Sequence, residues 1–170
     1  VNLKMKAIKS NEIFLEDKVI SGYVLVNDSI IEDVVETKNF GDDVEIIDLS
    51  EYKLFPGLID IHVHGGNGFD TMDSNYNSLN EISKFKLKEG VTSFCPTTVT
   101  CPIPRTEEAI KSVVNAINKG VDGAKIIGTF LEGPYICTKF KGAHPEQFIK
   151  GSDLDEIKRF LEIGEGTISS

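Results

Sequence analysis

Three histidines occur in the 170-residue sequence, and two of them, His62 and His64, stand one residue apart in the stretch LIDIHVHGGNGFD at 58–70. Side chains alternate along an extended chain, so a strand here turns both imidazoles to the same side. Neutral imidazole is a good ligand for zinc or iron, and a carboxylate from another strand can join the pair. Glu132, in the stretch AKIIGTFLEGP at 124–134, is such a carboxylate. A charged Glu at the end of an apolar run is costly to bury without a partner, and a cation would be one. Each piece alone has an ordinary reading: a histidine hydrogen-bonded in a core, or a glutamate in a salt bridge. The combination of His-x-His on one strand and an acid on a later strand is what points to metal chemistry. Gly65, Gly66 and Gly68 follow the pair but match neither a Walker pattern nor G-x-G-x-x-G. The third histidine, His144, precedes a proline in a loop, where a surface residue is the ordinary expectation.

The elements that must position these residues fall into two textures. Residues 1–55 read as strands and turns, a small β unit. The stretches EIFLEDKVI and GYVLVNDSIIEDVVE carry β-branched residues, with breaks at Ser21-Gly22 and at Asn27-Asp28, the second a hairpin turn. VEIIDLS is a further short strand. Pro56-Gly57 ends this unit, and residues 56–170 alternate strands with helices. LIDIHVH, VTSFCPTTVT and AKIIGTFLEGP read as strands. NSLNEISKFKLKEG reads as a helix, with Ser78 and Glu81 at capping-box spacing and Gly90 as its stop. PRTEEAIKSVVNAINKG is a second helix with the stripe Ile110, Val113, Val114 and Ile117. SDLDEIKRFLEIG is a third, with Ser152 as cap and Leu154, Ile157 and Leu161 as its inner stripe. Strands alternating with amphipathic helices imply an α/β fold with parallel strands, in which sites form at the C-terminal strand ends. His62, His64 and Glu132 stand at such ends. So do Thr97 and Thr98, polar but not obvious ligands.

Composition narrows the class. A formal net charge of −9 argues against a nucleic-acid binder, which needs a basic patch. No run of eighteen apolar residues spans a membrane, and the N-terminal stretch lacks the apolar core of a signal peptide. Cys95, Cys101 and Cys137 match no zinc spacing and read as reduced thiols of a cytoplasmic protein, Cys95 packing as a small hydrophobe.

With these residues in view, LFPGLIDIHVHG resembles the first barrel strand of the amidohydrolase superfamily, metal-dependent hydrolases on a (β/α)8 barrel. GVTSFCPTTVT, LEGPYI and KGAHPEQFI are together similar to the N-acetylglucosamine-6-phosphate deacetylase family, and the likeness covers nearly the whole chain. The resemblance implies the N-terminal part of a TIM-type barrel, about three βα units, since a complete barrel takes ~250 residues, preceded over 1–55 by a small β-sandwich unit that is itself incomplete. It makes Glu132 a metal ligand and His62 and His64 ligands of a second metal site in members that have two. It implies that His144 contacts the substrate acetamido group and polarises its carbonyl, and that Ala143 offers backbone contact to the sugar. The cofactor implied is a divalent metal, zinc with iron as the alternative, as one or two ions. The substrate implied is N-acetylglucosamine 6-phosphate, hydrolysed to glucosamine 6-phosphate and acetate by a homodimeric full-length enzyme.

Two departures stand out. Phe130 occupies the place before LEGP where family members often carry a histidine. The sequence also ends at Ser170, after GEGTISS, where a fourth barrel strand should begin. The resemblance places the catalytic aspartate and two more histidine ligands beyond Ser170, so no catalytic residue is expected within the chain, which alone would be inactive, with an open sheet edge prone to aggregation. Two other readings compete. One is a different amidohydrolase, dihydroorotase-like or isoaspartyl dipeptidase-like, which would share the first-strand motif but not both LEGPY and KGAHP. The other is a truncated, non-catalytic chain that binds sugar phosphate or a partner subunit.

Overall fold

A computed structural model describes residues 5–37, 39–41 and 43–169. It divides into two compact units, Val1–Pro56 and Gly57–Ser170. The expected spans 1–55 and 56–170 include residues 1–4, 38, 42 and 170, which lie outside the described residues.

The first unit consists of β1 (Lys6–Phe14), β2 (Val19–Asn27), β3 (Ile30–Val35), β4 (Glu45–Asp48) and β5 (Lys53–Leu54). They form one sheet in the order β3-β2-β1-β4, with β5 also on β1. β1 begins earlier than the expected start at Glu12. Its polar-looking first half is paired on both sides, to β2 and to β4, so backbone hydrogen bonds hold it where side-chain pattern does not. Ser21-Gly22 is no break either, because β2 runs through it. A Cβ at Gly22 would overlap the Val35 carbonyl of β3, so this glycine marks a close approach of two backbones. Asn27-Asp28 does turn the chain, with Asp28 left-handed at φ 58°. The described residues of this unit make a single sheet rather than two facing layers. One of its faces forms an apolar hollow lined by Ile8, Val24, Val26, Ile31, Val34 and Phe55.

The second unit opens with β6 (Leu58–Val63), the short hairpin β7 (Gly65–Gly66) and β8 (Phe69–Asp70), and a 3-10 turn at Thr71–Asp73. It continues with α1 (Tyr76–Lys88), β9 (Val91–Pro96), α2 (Ile103–Lys119), β10 (Lys125–Ile126) and α3 (Leu154–Ile163). Three strands of this unit are parallel, in the order β10-β9-β6. β10 is far shorter than the expected strand over 124–134. The chain nevertheless follows β9 onward, with Ile127 N donating to the Phe94 carbonyl (3.0 Å) and Phe130 N to the Pro96 carbonyl (3.0 Å). Beyond Ile126 it also serves a second neighbour, since Thr129 bridges in parallel to Ile168. This contact near Ile168 is a single bridge, not a strand.

Helices and sheet share one core of Val63, Leu79, Ile82, Val91, Phe94, Val113, Ala116, Ala124 and Ile126. The α2 stripe packs as its period predicts: Ile110 and Val113 are fully buried, and Ile117 lies partly buried against the core. Two caps differ from expectation. Asn75, not Ser78, caps α1, its side chain accepting from Ser78 N at 2.9 Å. Asp153, not Ser152, caps α3 by accepting from Asp155 N and Glu156 N at 3.1 Å each. The α3 stripe is also rotated. Leu154 and Leu161 are 72 % and 53 % exposed, and Phe160 is the buried residue at 2 %. The largest apolar side chain takes the buried position, and Arg159 beside it ties α3 to the buried Glu107 of α2 at 2.7 Å. Cys95 and Cys101 are buried and Cys137 exposed, with no disulfide among them.

Phe94 sits at 0 % exposure in the centre of this core. Phe94→Ala is expected to cost about 3–5 kcal/mol, read as a fall in the urea midpoint. The backbone N–H groups that Asp153 accepts from hold its carboxyl below 3.8, its ordinary value. A depressed carboxylate stabilises above its unfolded pKa and loses that contribution as pH falls through the lowered folded value. Amide protection in the first turn of α3 is therefore expected to drop below about pH 3.8, and Asp153→Asn, a cap without a charge to lose, should reduce that dependence.

Candidate metal centre

The C-terminal end of β6 is built to present its histidines. Along β6 and β9 the register passes from Asp60↔Phe94 to Val63↔Pro96, so β6 carries one extra residue there. Such a bulge re-aims side chains and is common beside active sites. Thr97 secures the far side of it: its hydroxyl accepts from Val63 N at 2.8 Å and donates to the Cys95 carbonyl at 3.2 Å. Thr97 N and Thr71 N donate to the carbonyls of Val63 and His64, each at 2.7 Å. The backbone on both sides of the histidine pair is therefore fixed.

The two imidazoles then converge. Nε2 of His62 lies 3.2 Å from Nε2 of His64. Oε2 of Glu132 lies 3.2 Å from the first and 2.8 Å from the second. A tetrahedral ion with ligands near 2.05 Å spaces its donor atoms about 3.3 Å apart, so this donor set fits a divalent ion of zinc size. His62, His64 and Glu132 are the group of His, Cys, Asp and Glu side chains, among the described residues, whose ligand atoms all fall within 4.8 Å of one another.

His144, expected at the surface from its type alone, joins the same carboxylate. Its Nε2 lies 3.1 Å from Oε1 of Glu132, and its side chain is 12 % exposed. Glu132 thus meets three imidazoles with two oxygens. Burial alone would raise its carboxyl pKa; the hydrogen bond from His144 and the three rings beside it outweigh burial and hold it below the ordinary value. The loop bearing Glu132 and His144 is tied to α3, with the Tyr135 hydroxyl donating to Glu156 Oε1 at 2.6 Å and Lys150 Nζ to Oε2 at 3.0 Å. Burial, and then the bond to Glu156, push the Tyr135 phenol up. A cavity of about 600 Å³ opens over the site, lined by His64, Asp70, Val99, Glu132, Ile136, Phe140, Lys141, Gly142, Ala143 and His144.

All five residues singled out from the sequence, His62, His64, Glu132, Ala143 and His144, stand in or around this centre. Sequence reasoning named Phe130 only as a departure from the family pattern and missed Thr100 and Asp70. Phe130 lays its ring against His62, centroids 4.8 Å apart, so the departure before LEGP becomes a wall of the site. Thr100 holds the far nitrogen of His144, Oγ1 to Nδ1 at 2.8 Å. Asp70 lines the cavity while capping the turn at Thr71–Asp73. A single threonine or aspartate beyond a strand carries no spacing signal that would have found it.

The comparisons with known proteins agree with this chemistry. The chain is 41 % identical over 124 residues to the N-acetylglucosamine-6-phosphate deacetylase of Vibrio furnissii, covering 73 % of this chain and 31 % of the relative. It is 37 % identical over 115 residues to the N-acetylgalactosamine-6-phosphate deacetylase of Escherichia coli O157:H7, covering 68 % of this chain and 30 % of the relative. Its structure is similar to the crystal structure of N-acetylglucosamine-6-phosphate deacetylase from Pasteurella multocida, with TM-score 0.84 and 27 % identity over 97 % of this chain and 43 % of that one. The chain thus spans about a third to two fifths of the length of these proteins. Residues 54–166 match the amidohydrolase family model, and because that span holds the whole donor set, fold, site and match agree: the chain belongs to the amidohydrolase family.

Proposed function

We propose that this centre belongs to a metal-dependent deacetylase that hydrolyses N-acetylglucosamine 6-phosphate to glucosamine 6-phosphate and acetate. The observation that carries the reading is the meeting of three imidazole Nε2 atoms on one carboxylate, Glu132, at the mouth of a cavity. His62, His64 and Oε2 of Glu132 would hold the ion, zinc by the spacing of the donors and iron as the alternative. Bound there, a divalent ion supplies Lewis acidity, which polarises an amide carbonyl and acidifies water. His144 reaches Glu132 and the cavity with Nε2, where a donor can bond the acetamido oxygen. Ala143 lines the cavity beside it and would meet the sugar through its backbone. Val99, Ile136 and Phe140 give the cavity apolar walls that limit water around the reacting amide.

The same proposal covers the rest of the fold. Leu58, Ile59 and Ile61 of β6 are more than 60 % exposed, an apolar strand that further βα units of a (β/α)8 barrel would cover. The apolar hollow of the first unit would likewise be the inner face of a small β-sandwich. The three histidines of the sequence all lie in this one centre, so a second set of imidazole ligands would come from residues other than these 170, and the family resemblance puts the general base there too. On that reading the 170-residue chain binds metal without turning substrate over, and the complete enzyme is a homodimer. Thiols free of disulfides suit a reducing, cytoplasmic compartment. No helix among the described residues is long and apolar enough to cross a membrane. A second sugar is favoured by one observation, the 37 % identity to an N-acetylgalactosamine-6-phosphate deacetylase. The two substrates differ only in the configuration of one hydroxyl, which a few polar contacts decide.

Two measurements test this. The purified chain is expected to bind one zinc ion in a competition titration with a metallochromic chelator. Glu132→Gln should weaken it by more than roughly 100-fold, since even residues that only orient ligands are worth 10–100-fold; an unchanged affinity would remove Glu132 from the ligand set. Incubated with either N-acetylhexosamine 6-phosphate and its bound metal, the 170-residue chain is expected to release no acetate. Acetate release proportional to metal content would overturn the reading that the base lies outside these residues.

A further inference from the structure

Thr100 does more than fill space beside the loop. It lies 3 % exposed just beyond the end of β9, and two of its groups meet the same nitrogen of His144. Its hydroxyl is 2.8 Å from Nδ1, and its backbone N–H donates to Nδ1 at 3.4 Å. A backbone amide can only donate, so Nδ1 must offer its lone pair there, and the hydroxyl must donate as well. In a neutral imidazole the proton then sits on Nε2. The other end of the ring requires the same. Nε2 faces Oε1 of Glu132 at 3.1 Å, and an ionised carboxylate only accepts. The opposite tautomer would set an N–H against an N–H at one end and a lone pair against a carboxylate at the other. Gly133 keeps the threonine in place: its backbone lies at φ +82°, and a Cβ there would overlap the Thr100 hydroxyl.

We propose that Thr100 is a positioning residue of the centre, holding His144 in the single tautomer that keeps its proton on Nε2, facing Glu132 and the cavity. This rests on the deacetylase reading above, in which that N–H bonds the substrate carbonyl, and it adds the residue that decides which nitrogen carries the proton. It also gives a physical reason for pairing the segments VTSFCPTTVT, LEGP and KGAHP in one chain: the threonine of the first is wedged against the glycine of the second and orients the histidine of the third.

The experiment is long-range proton–nitrogen NMR of the imidazoles in the 170-residue chain, which has three histidines to assign. Metal-free, His144 is expected to show one protonated nitrogen, Nε2, and one acceptor nitrogen, Nδ1. Thr100→Val leaves only the long backbone bond and should move the two nitrogen shifts toward each other as the other tautomer becomes populated; Thr100→Ser should restore the original pattern. A proton on Nδ1 in the unaltered chain, or an unmoved pattern in a folded Thr100→Val chain, overturns the proposal. If the valine variant does not fold, Thr100→Ala reads the same change without the added methyl. Zinc is then added separately. Unmoved His62 and His64 nitrogens would sink the metal reading while the tautomer of His144, read without metal, still decides the role of Thr100.

Discussion

Everything in the second unit is arranged around one carboxylate that must satisfy three imidazoles. Glu132 has two oxygens: Oε2 is shared by His62 and His64, and Oε1 is left to His144. Sharing one oxygen between two ring nitrogens that are themselves 3.2 Å apart is poor hydrogen bonding. Two neutral imidazoles each hold one proton, and unless both point it at Oε2, a lone pair faces a lone pair or the carboxylate. A cation between the three atoms removes that conflict, because it takes lone pairs from all of them. His144 is different in kind. Its nitrogen meets the other oxygen alone, in geometry that one proton satisfies, so it supports the carboxylate from outside the donor set, as hydrogen-bonded partners of metal ligands commonly do.

Holding such a cluster requires a frame that does not relax. The bulge in β6 turns the histidines, and the Thr97 hydroxyl fills the backbone bond that the bulge interrupts. Glycine is needed after Glu132, at φ +82° and against the Thr100 hydroxyl, because any side chain would displace the group that orients His144. The rigidity comes from below. Asn80 and Ser83 of α1 hydrogen-bond the turn at 122–124 that precedes β10, with Asp122 N to Asn80 Oδ1 at 2.8 Å and Gly123 N to Ser83 Oγ at 3.0 Å. The strand that leads to Glu132 is thereby anchored at its start to a helix packed on the same core.

What the sequence disclosed and what it withheld divide along physical lines. The histidine pair and the alternation of strands and helices were legible from the sequence, while the bulge that turns the pair inward was not. The buried stripe of α2 was readable because four apolar residues recur at helical spacing with nothing to compete. In α3 the same rule failed: Phe160, outside the expected stripe, takes the buried position, while Leu154 and Leu161 stay exposed. Caps failed similarly: Ser78 and Ser152 have the right chemistry, but Asn75 and Asp153 reach the open N–H groups. The role of His144 came only with the resemblance, because a loop histidine twelve residues from Glu132 has no local pattern that aims it.

The exposure of the ligands bears on how the centre works. His62 and His64 are each 43 % exposed and Glu132 30 %, while His144, which supports them, is 12 % exposed. The supporting histidine is thus the better shielded, and the donors face open space. In water-accessible surroundings a carboxylate–imidazole pair contributes little to stability, so the convergence of these donors is not explained by folding. It is imposed by bulge, threonine and glycine, each of which serves the site more than the core. Local strain and close backbone approach of this kind gather where geometry is needed for binding rather than for packing. On the proposed function, an amide substrate and any further ligands would enter at the open face of the donor set, and for that role a partly exposed cluster on a rigid base is better suited than a buried one.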